Sequence, residues 1–226
     1  MDKYDVVIIY SGFAGARAIQ ATARAGLKVL LLERRGRLVS EVPEETVFDA
    51  LYHAVVTGVT TVEDRICDSE KPGKKIRSVE FVHEGKPMSV EADCFIDATN
   101  DGKALTDSPC IYAFGEEDTV LLRHFEDAIA ENEDLYQIPY RATVPEDLNN
   151  LWITGRCFPL IHESSAKPAL RATLGGIGEG VGVLAAFAHY AHARNFELTD
   201  TQIRNCIDAR GLLSDDSALF DTDIFS

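Results

Sequence analysis

Tyr10-Ser11-Gly12-Phe13-Ala14-Gly15 follows a β-branched run, Val6-Val7-Ile8-Ile9, and leads into an Ala-rich stretch. The spacing is that of G-x-G-x-x-G with its first place changed. Gly12 and Gly15 fill the second and third positions and Tyr10 stands in the first. In that pattern the first glycine makes a tight turn, the second lets a diphosphate reach the backbone, and the third lets helix and strand pack closely. A helix starting near Phe13 would aim its free N–H groups at the diphosphate. Glu33 closes the next apolar run, where a carboxylate accepts hydrogen bonds from ribose hydroxyls. Its charge disfavours a 2′-phosphate, so FAD or NAD is expected over NADP. The competing reading is an α/β unit without a nucleotide, with the Tyr10 side chain in adenosine or diphosphate space.

A second glycine cluster, Thr173-Leu174-Gly175-Gly176-Ile177-Gly178-Glu179-Gly180-Val181-Gly182, stands before an apolar helical stretch. Glycines at this density let backbone approach something flat or anionic, and a helix N-terminus there would add partial positive charge. Each glycine costs roughly 1 kcal/mol against alanine inside a helix, so either a ligand or close packing must explain it. Arg171 has the chemistry to hold a carboxylate or a cofactor oxygen, or to tie down nearby loop acids. His189 and His192 lie one helical turn apart without an evident third ligand, so surface histidines rather than a metal site are expected. The cysteines (Cys67, Cys94, Cys110, Cys157, Cys206) show no Cys-x-x-Cys spacing. A zinc site or disulfide framework is therefore not expected, and a reduced, cytoplasmic compartment is. No nucleophile-elbow pattern is present.

These residues need a scaffold. The chain has 226 residues and a formal charge of −15, enough length to bury a core unaided and too acidic for a phosphate-backbone partner or an anionic membrane surface. No apolar run reaches the ~18 residues of a spanning helix, and the first residues lack the pattern of a secretion signal. Val6–Ile9 and Lys28–Glu33 read as strands buried on both faces, with a helix over Ala16–Ala25 that Gly26 stops. Leu38–Glu45 reads as a loop. Val55–Val59 reads as a strand with a glycine irregularity, and Arg77–His83 as a half-exposed strand. A turn at Glu84-Gly85-Lys86-Pro87 follows, then a partner strand over Met88–Ala92 and an apolar run over Cys94–Thr99. Val120–Asn132 has helical spacing with a solvated acidic face. Leu151–Gly155 reads as a buried strand, Cys157–Lys167 as a loop, and Val183–Arg194 as a long helix opened by the glycine cluster. Asp200–Asp208 reads as a last helix capped by Thr199. The whole is expected to be α/β and Rossmann-like, with a central parallel sheet, helices on one face and a small antiparallel β-meander.

In these blocks the chain resembles the FAD-dependent oxidoreductases with a glutathione-reductase-like fold. The resemblance runs from Asp5 to Glu33, then through Ile96-Asp97-Ala98-Thr99-Asn100-Asp101-Gly102, Ile138-Pro139-Tyr140-Arg141, Asn150-Leu151-Trp152-Ile153-Thr154-Gly155-Arg156-Cys157 and Ile177–Ala186. It implies an FAD-binding domain over residues 1–213, in halves 1–102 and 136–213 around a shortened insert 103–135, with an acidic tail over 214–226. Gly12 and Gly15 would face the FAD diphosphate and Glu33 the adenosine ribose. Val55 or Val56 would meet the adenine, and Ala98 and Thr99 would wall the nucleotide. Gly155 and Arg156 would approach the diphosphate and ribityl chain. Gly178, Gly180 and Val181 would lie under the isoalloxazine ring, in a helix start whose dipole stabilises a reduced flavin. His162 and Glu163 fall where the family's loop nears the flavin, as a proton donor and acceptor beside N5 or as a solvent-exposed loop pair, and with Arg171 they are the candidate catalytic groups.

The departures are Tyr10, Asn100 where the family has glycine, and the substrate-binding part. Lys103–Gln137 is all that stands in its place, and the loop Arg34–Phe48 is abbreviated. Two readings follow. The chain is an FAD-binding oxidoreductase, or the flavin subunit of one, moving a hydride between a small organic substrate and flavin N5, with a partner in a hetero- or homo-oligomer completing the walls. Alternatively, it is a non-catalytic member of the fold that serves assembly. An NAD-dependent dehydrogenase is the third reading and gives the C-terminal glycine cluster no role.

Overall fold

The computed structural model describes residues 3–64, 73–106, 121–122, 138–155 and 167–209. Strand β1 (Tyr4–Ile9) ends in four branched aliphatic residues, of which Val6, Val7 and Ile8 are fully buried. A turn leads into helix α1 (Phe13–Arg24), which ends at Ala25-Gly26, where Gly26 takes φ +80° and donates its N–H to Ala23 O. Strand β2 (Val29–Glu33) returns parallel to β1, with Val6 opposite Val29 and Ile9 opposite Leu32. Strand β3 (Asp49–Tyr52) adds a parallel edge beside β2.

The chain then leaves the parallel sheet. Strand β4 (Val55–Asp64) pairs antiparallel with β5 (Gly73–His83), with an irregularity between Val56 and Gly58. Glu84 and Gly85, both at positive φ, turn β5 into β6 (Lys86–Asp97), the pattern of a two-residue hairpin loop. The two apolar runs read at Met88–Ala92 and Cys94–Thr99 are one strand. Its first half pairs antiparallel with β5, and its second half lies parallel to β1 and to β9 (Leu151–Ile153). One strand thus joins the meander to the parallel sheet, whose order is β3-β2-β1-β6-β9.

Alternation along these strands builds two cores. Val6, Ile8, Val29, Leu31, Ile96 and Trp152 face α1 and helix α2 (Lys167–Ala191). Val7, Ile9, Leu30, Leu32, Phe95 and Leu151 face the meander residues Ile76, Val79, Phe81 and Val90. The order of layers is therefore helices, parallel sheet, meander, as the sequence leads one to expect. Trp152 Nε1 donates to the Tyr140 hydroxyl at 3.1 Å, and that hydroxyl donates to Asn195 O at 2.6 Å. This buried chain holds the exit of α2 onto β9. Helix α3 (Asp200–Ala209) begins with the expected cap, in which Gln202 N–H donates to Thr199 Oγ1 and Gln202 Oε1 accepts from Thr199 N–H, a reciprocal capping box.

Two further expectations are corrected. Helix α2 begins at Lys167, with Pro168 in its first turn, where proline's missing N–H costs nothing. The cluster Gly175–Gly182 is therefore helix interior and not a helix start. Leu121-Leu122, read as the opening of a helix, is a short strand β7 paired with β8 (Ile138–Pro139). The rest of Val120–Asn132, most of the Cys157–Lys167 loop and the acidic tail lie outside the described residues.

Arg194, beyond α2, donates from Nε to Asp64 Oδ2 at 2.7 Å, and Asn149 Nδ2 donates to the same oxygen at 3.0 Å. Burial works to raise the Asp64 pKa. The hydrogen bonds from Arg194 and Asn149 outweigh it and hold the carboxyl below its ordinary value. A lowered folded pKa contributes stability that is present above the unfolded value and is lost as pH falls through the folded one. Arg194→Gln is expected to cost about 1–2 kcal/mol at pH 7 and less at pH 3. Urea midpoints of both proteins at the two pH values check this, and a pH-independent difference contradicts it.

Candidate functional site

The carboxyl ends of β1, β2 and β6 open on one cavity of about 400 Å3. Ile9 and Tyr10 enter it from β1, Leu32 and Arg34 from β2, Val55 and Val56 from β4, and Thr99, Asn100 and Asp101 from the turn after β6. A crevice outside the carboxyl ends of parallel strands is where open α/β sheets bind ligands. Among the expected contacts, Val55 and Thr99 line this cavity, and Ala98 is buried behind Thr99.

The turn at its edge keeps the fingerprint's backbone. Tyr10 takes φ +77°, the left-handed conformation for which the pattern uses glycine. A Cβ on Gly15 would collide with the Tyr10 carbonyl, so the third glycine does the packing task that the pattern assigns to it. At Gly12 a Cβ would lie 2.7 Å from Tyr10 Cε1 and 3.3 Å from Cδ1. The face of the second glycine that would meet a diphosphate is therefore covered by the Tyr10 ring.

Glu33 is fully buried, and protein donors engage its carboxylate. Oε2 accepts from Ser11 N–H at 2.9 Å and Ser11 Oγ at 2.6 Å, and Oε1 accepts from Arg35 N–H at 2.8 Å. Ser11 Oγ in turn accepts from Val39 N–H at 2.9 Å, and Ser40 N–H donates to Ser11 O. The abbreviated loop after β2 is thereby strapped across the turn. Asp97 plays a similar part at the end of β6. It accepts from Thr99 N–H and Oγ1 on one oxygen and from Ala104 and Leu105 N–H on the other. Burial drives its pKa up, and these donors oppose the rise. Neither Ser11 nor Asp97 was singled out from the sequence. The signal available was a hydroxyl inside the fingerprint and an acid closing an apolar strand.

Gly155, after β9, takes φ +105°, and a Cβ there would lie 2.9 Å from Thr99 O. Its glycine is required by the approach of two backbone segments. The same holds in α2. A Cβ on Gly178 would strike the Ala14 carbonyl, and one on Gly182 would lie 2.8 Å from Ala21 Cβ. Gly178 and Gly182 are thus the contact surface of α2 against α1, and Val181 is fully buried beside them. Gly180 lies on the same helix. Arg156, His162 and Glu163 lie outside the described residues, and Arg171 is on α2 near its start. His189 is not a free surface histidine. Its Nδ1 lies 3.5 Å from Asp93 and its Nε2 3.9 Å from Asp5. The two nitrogens face different carboxylates, and Lys3 neutralises Asp93 at 2.6 Å. These contacts join the end of α2 to Asp5 on β1 and Asp93 on β6.

Among the described residues no helix is long and apolar enough to cross a membrane. Residues 123–205 match the family model described as FAD dependent oxidoreductase. No curated protein matches the sequence. Among solved structures, a geranylgeranyl bacteriochlorophyll reductase-like protein from Thermoplasma acidophilum is 11% identical with a TM-score of 0.51, covering 94% of this chain and 83% of its own. The THI4 protein of Thermovibrio ammonificans is 14% identical with a TM-score of 0.43, covering 84% of this chain and 90% of its own. The myxobacterial chondrochloren halogenase CndH, a variant of FAD-dependent halogenases, is 9% identical with a TM-score of 0.43, covering 93% of this chain and 79% of its own. The chain thus has a Rossmann-like fold and, over residues 123–205, is similar to the FAD dependent oxidoreductases.

Proposed function

We propose that the chain binds FAD at the carboxyl ends of β1, β2 and β6 and is the flavin-binding part of an oxidoreductase. The observation that carries this reading is the convergence of the fingerprint turn, the end of β2 and the Thr99–Asp101 turn on one cavity. The residues fit the adenosine half of the group. Ile9, Leu32, Val55 and Val56 supply apolar walls for a base, and Arg34, Thr99 and Asn100 supply polar groups at the rim. The first turn of α1, capped by no side chain, is the element that would face the diphosphate. Its approach lies beneath the Tyr10 ring.

FAD, when bound, supplies hydride transfer at its N5. The chain's own residues orient it. Ala98 and Thr99 wall the nucleotide, and Gly155 brings the end of β9 against that wall. Arg156, His162 and Glu163, on the strength of the resemblance, and Arg171, on the chemistry of its guanidinium, remain the candidates for contact with flavin and substrate. The substrate is a small organic molecule. A partner chain completes its pocket, because the stretch that replaces the family's substrate-binding part is short. The expected result is a yellow protein that releases FAD on denaturation. FAD at about 100 times its Kd should add about 2.7 kcal/mol of stability, read as an upward shift in Tm. A colourless protein that FAD does not protect favours the second reading, a non-catalytic assembly subunit, and the ring over Gly12 is the observation on its side.

A further inference from the structure

We infer that Tyr10 is a gate on the diphosphate turn, which sets the class of ligand the cavity takes without rearrangement. This rests on the cofactor reading above and deepens it. Tyr10 lines the nucleoside cavity, and its ring also lies against Gly12, with Cε1 2.7 Å from the position a Cβ would take. The ring therefore stands at the boundary between the cavity and the one stretch of backbone that a diphosphate must approach. The neighbouring N–H of Ser11 is already donated to Glu33, so the turn is closed by a side chain and braced from behind. A nucleoside reaches Ile9, Val55 and Thr99 with the ring in place. A dinucleotide or a nucleoside diphosphate must first displace the phenol from Gly12. FAD binding is in this way coupled to a side-chain movement.

The backbone at Tyr10 makes the test clean. Its φ of +77° is a conformation glycine adopts freely, so Tyr10→Gly removes the ring without opposing the fold. Adenosine, ADP and FAD are titrated against the full chain by calorimetry for the wild type, Tyr10→Gly, Tyr10→Ala and Tyr10→Phe. The gate predicts that Tyr10→Gly and Tyr10→Ala bind ADP and FAD at least tenfold tighter than wild type. Because Tyr10 also lines the nucleoside cavity, the gain is read relative to adenosine, whose affinity should not rise in Tyr10→Gly or Tyr10→Ala, and Tyr10→Phe, which keeps the ring, should behave as wild type. Equal FAD and ADP affinities in wild type and Tyr10→Gly overturn the gate and leave the cofactor reading standing. Adenosine binding without ADP or FAD binding to any variant also overturns the gate. No binding of any of the three to any variant overturns the cofactor reading and the gate with it.

Discussion

Gly178→Ala is expected to destabilise the protein by about 3 kcal/mol or more, at or beyond the upper end of ordinary overpacking and a large share of the roughly 5–15 kcal/mol that holds a typical domain together. The added methyl would meet the Ala14 carbonyl of α1. That atom is backbone within a regular helix, so no rotamer change relieves the contact. Either α1 and α2 move apart, or both bend. Gly182→Ala should cost less, because the nearest atom is the Ala21 methyl at 2.8 Å, with Ala18 O at 2.9 Å. Gly175→Ala should have the opposite sign. Its nearest neighbour is the flexible Arg17 side chain at 3.6 Å, so the gain in helix propensity, up to about 1 kcal/mol, dominates. Urea unfolding of the three variants gives the ordering. A Gly178→Ala protein as stable as wild type would show that the helices do not cross at this point. Ala14 lies in the first turn of α1, so the same displacement should weaken FAD binding even where the variant remains folded.

The glycine cluster also shows how far the sequence could be read. A glycine beneath a ligand and a glycine at a helix crossing look alike, since each marks a place where a Cβ is excluded. Only the partner distinguishes them, and Ala14 is more than a hundred and fifty residues away in the chain. The unit β1–turn–α1–β2 was legible because its signals are local: a branched run, a glycine turn, an Ala-rich helix with Gly26 at its end, and a second apolar run. Strand β3 left no such mark. Asp49 is exposed and the other residues are half-buried, the weak pattern of a short edge strand. Strand β6 looked like two strands because its burial changes from alternating to continuous where its neighbours change from β5 to β1 and β9. The replacement at Tyr10 was visible. Where its ring rests was not, since that depends on a left-handed backbone and on the bare face of Gly12.

Glu33→Ala should have the second large effect, about 3–5 kcal/mol, and it decides between two uses of this carboxylate. As a ribose acceptor, Glu33 could be truncated with a loss of ligand affinity and little loss of stability. The structure engages it otherwise. Ser11 is fully buried, and both its N–H and its hydroxyl are donated to Glu33 Oε2. Hydrogen bonds to a charged group contribute about 1.5–3 kcal/mol each, and a buried donor left unpaired costs about 1–3 kcal/mol. Arg35 N–H, the third donor, sits on an exposed residue and water can replace its partner, so it adds little. Glu33→Gln keeps one oxygen for Ser11 and should cost only about 1–2 kcal/mol. Ser11→Ala should cost a similar amount, and combining it with Glu33→Gln should cost less than the sum, because the two remove one shared contact. Chemical denaturation of the single and double variants measures this coupling. Additive losses, or a Glu33→Ala protein of wild-type stability with weakened FAD binding, would return the carboxylate to the ribose. Strong coupling would instead make Glu33 the brace of the fingerprint turn, holding Ser11 and the strap at Val39 and Ser40 in the position that leaves Tyr10 over Gly12.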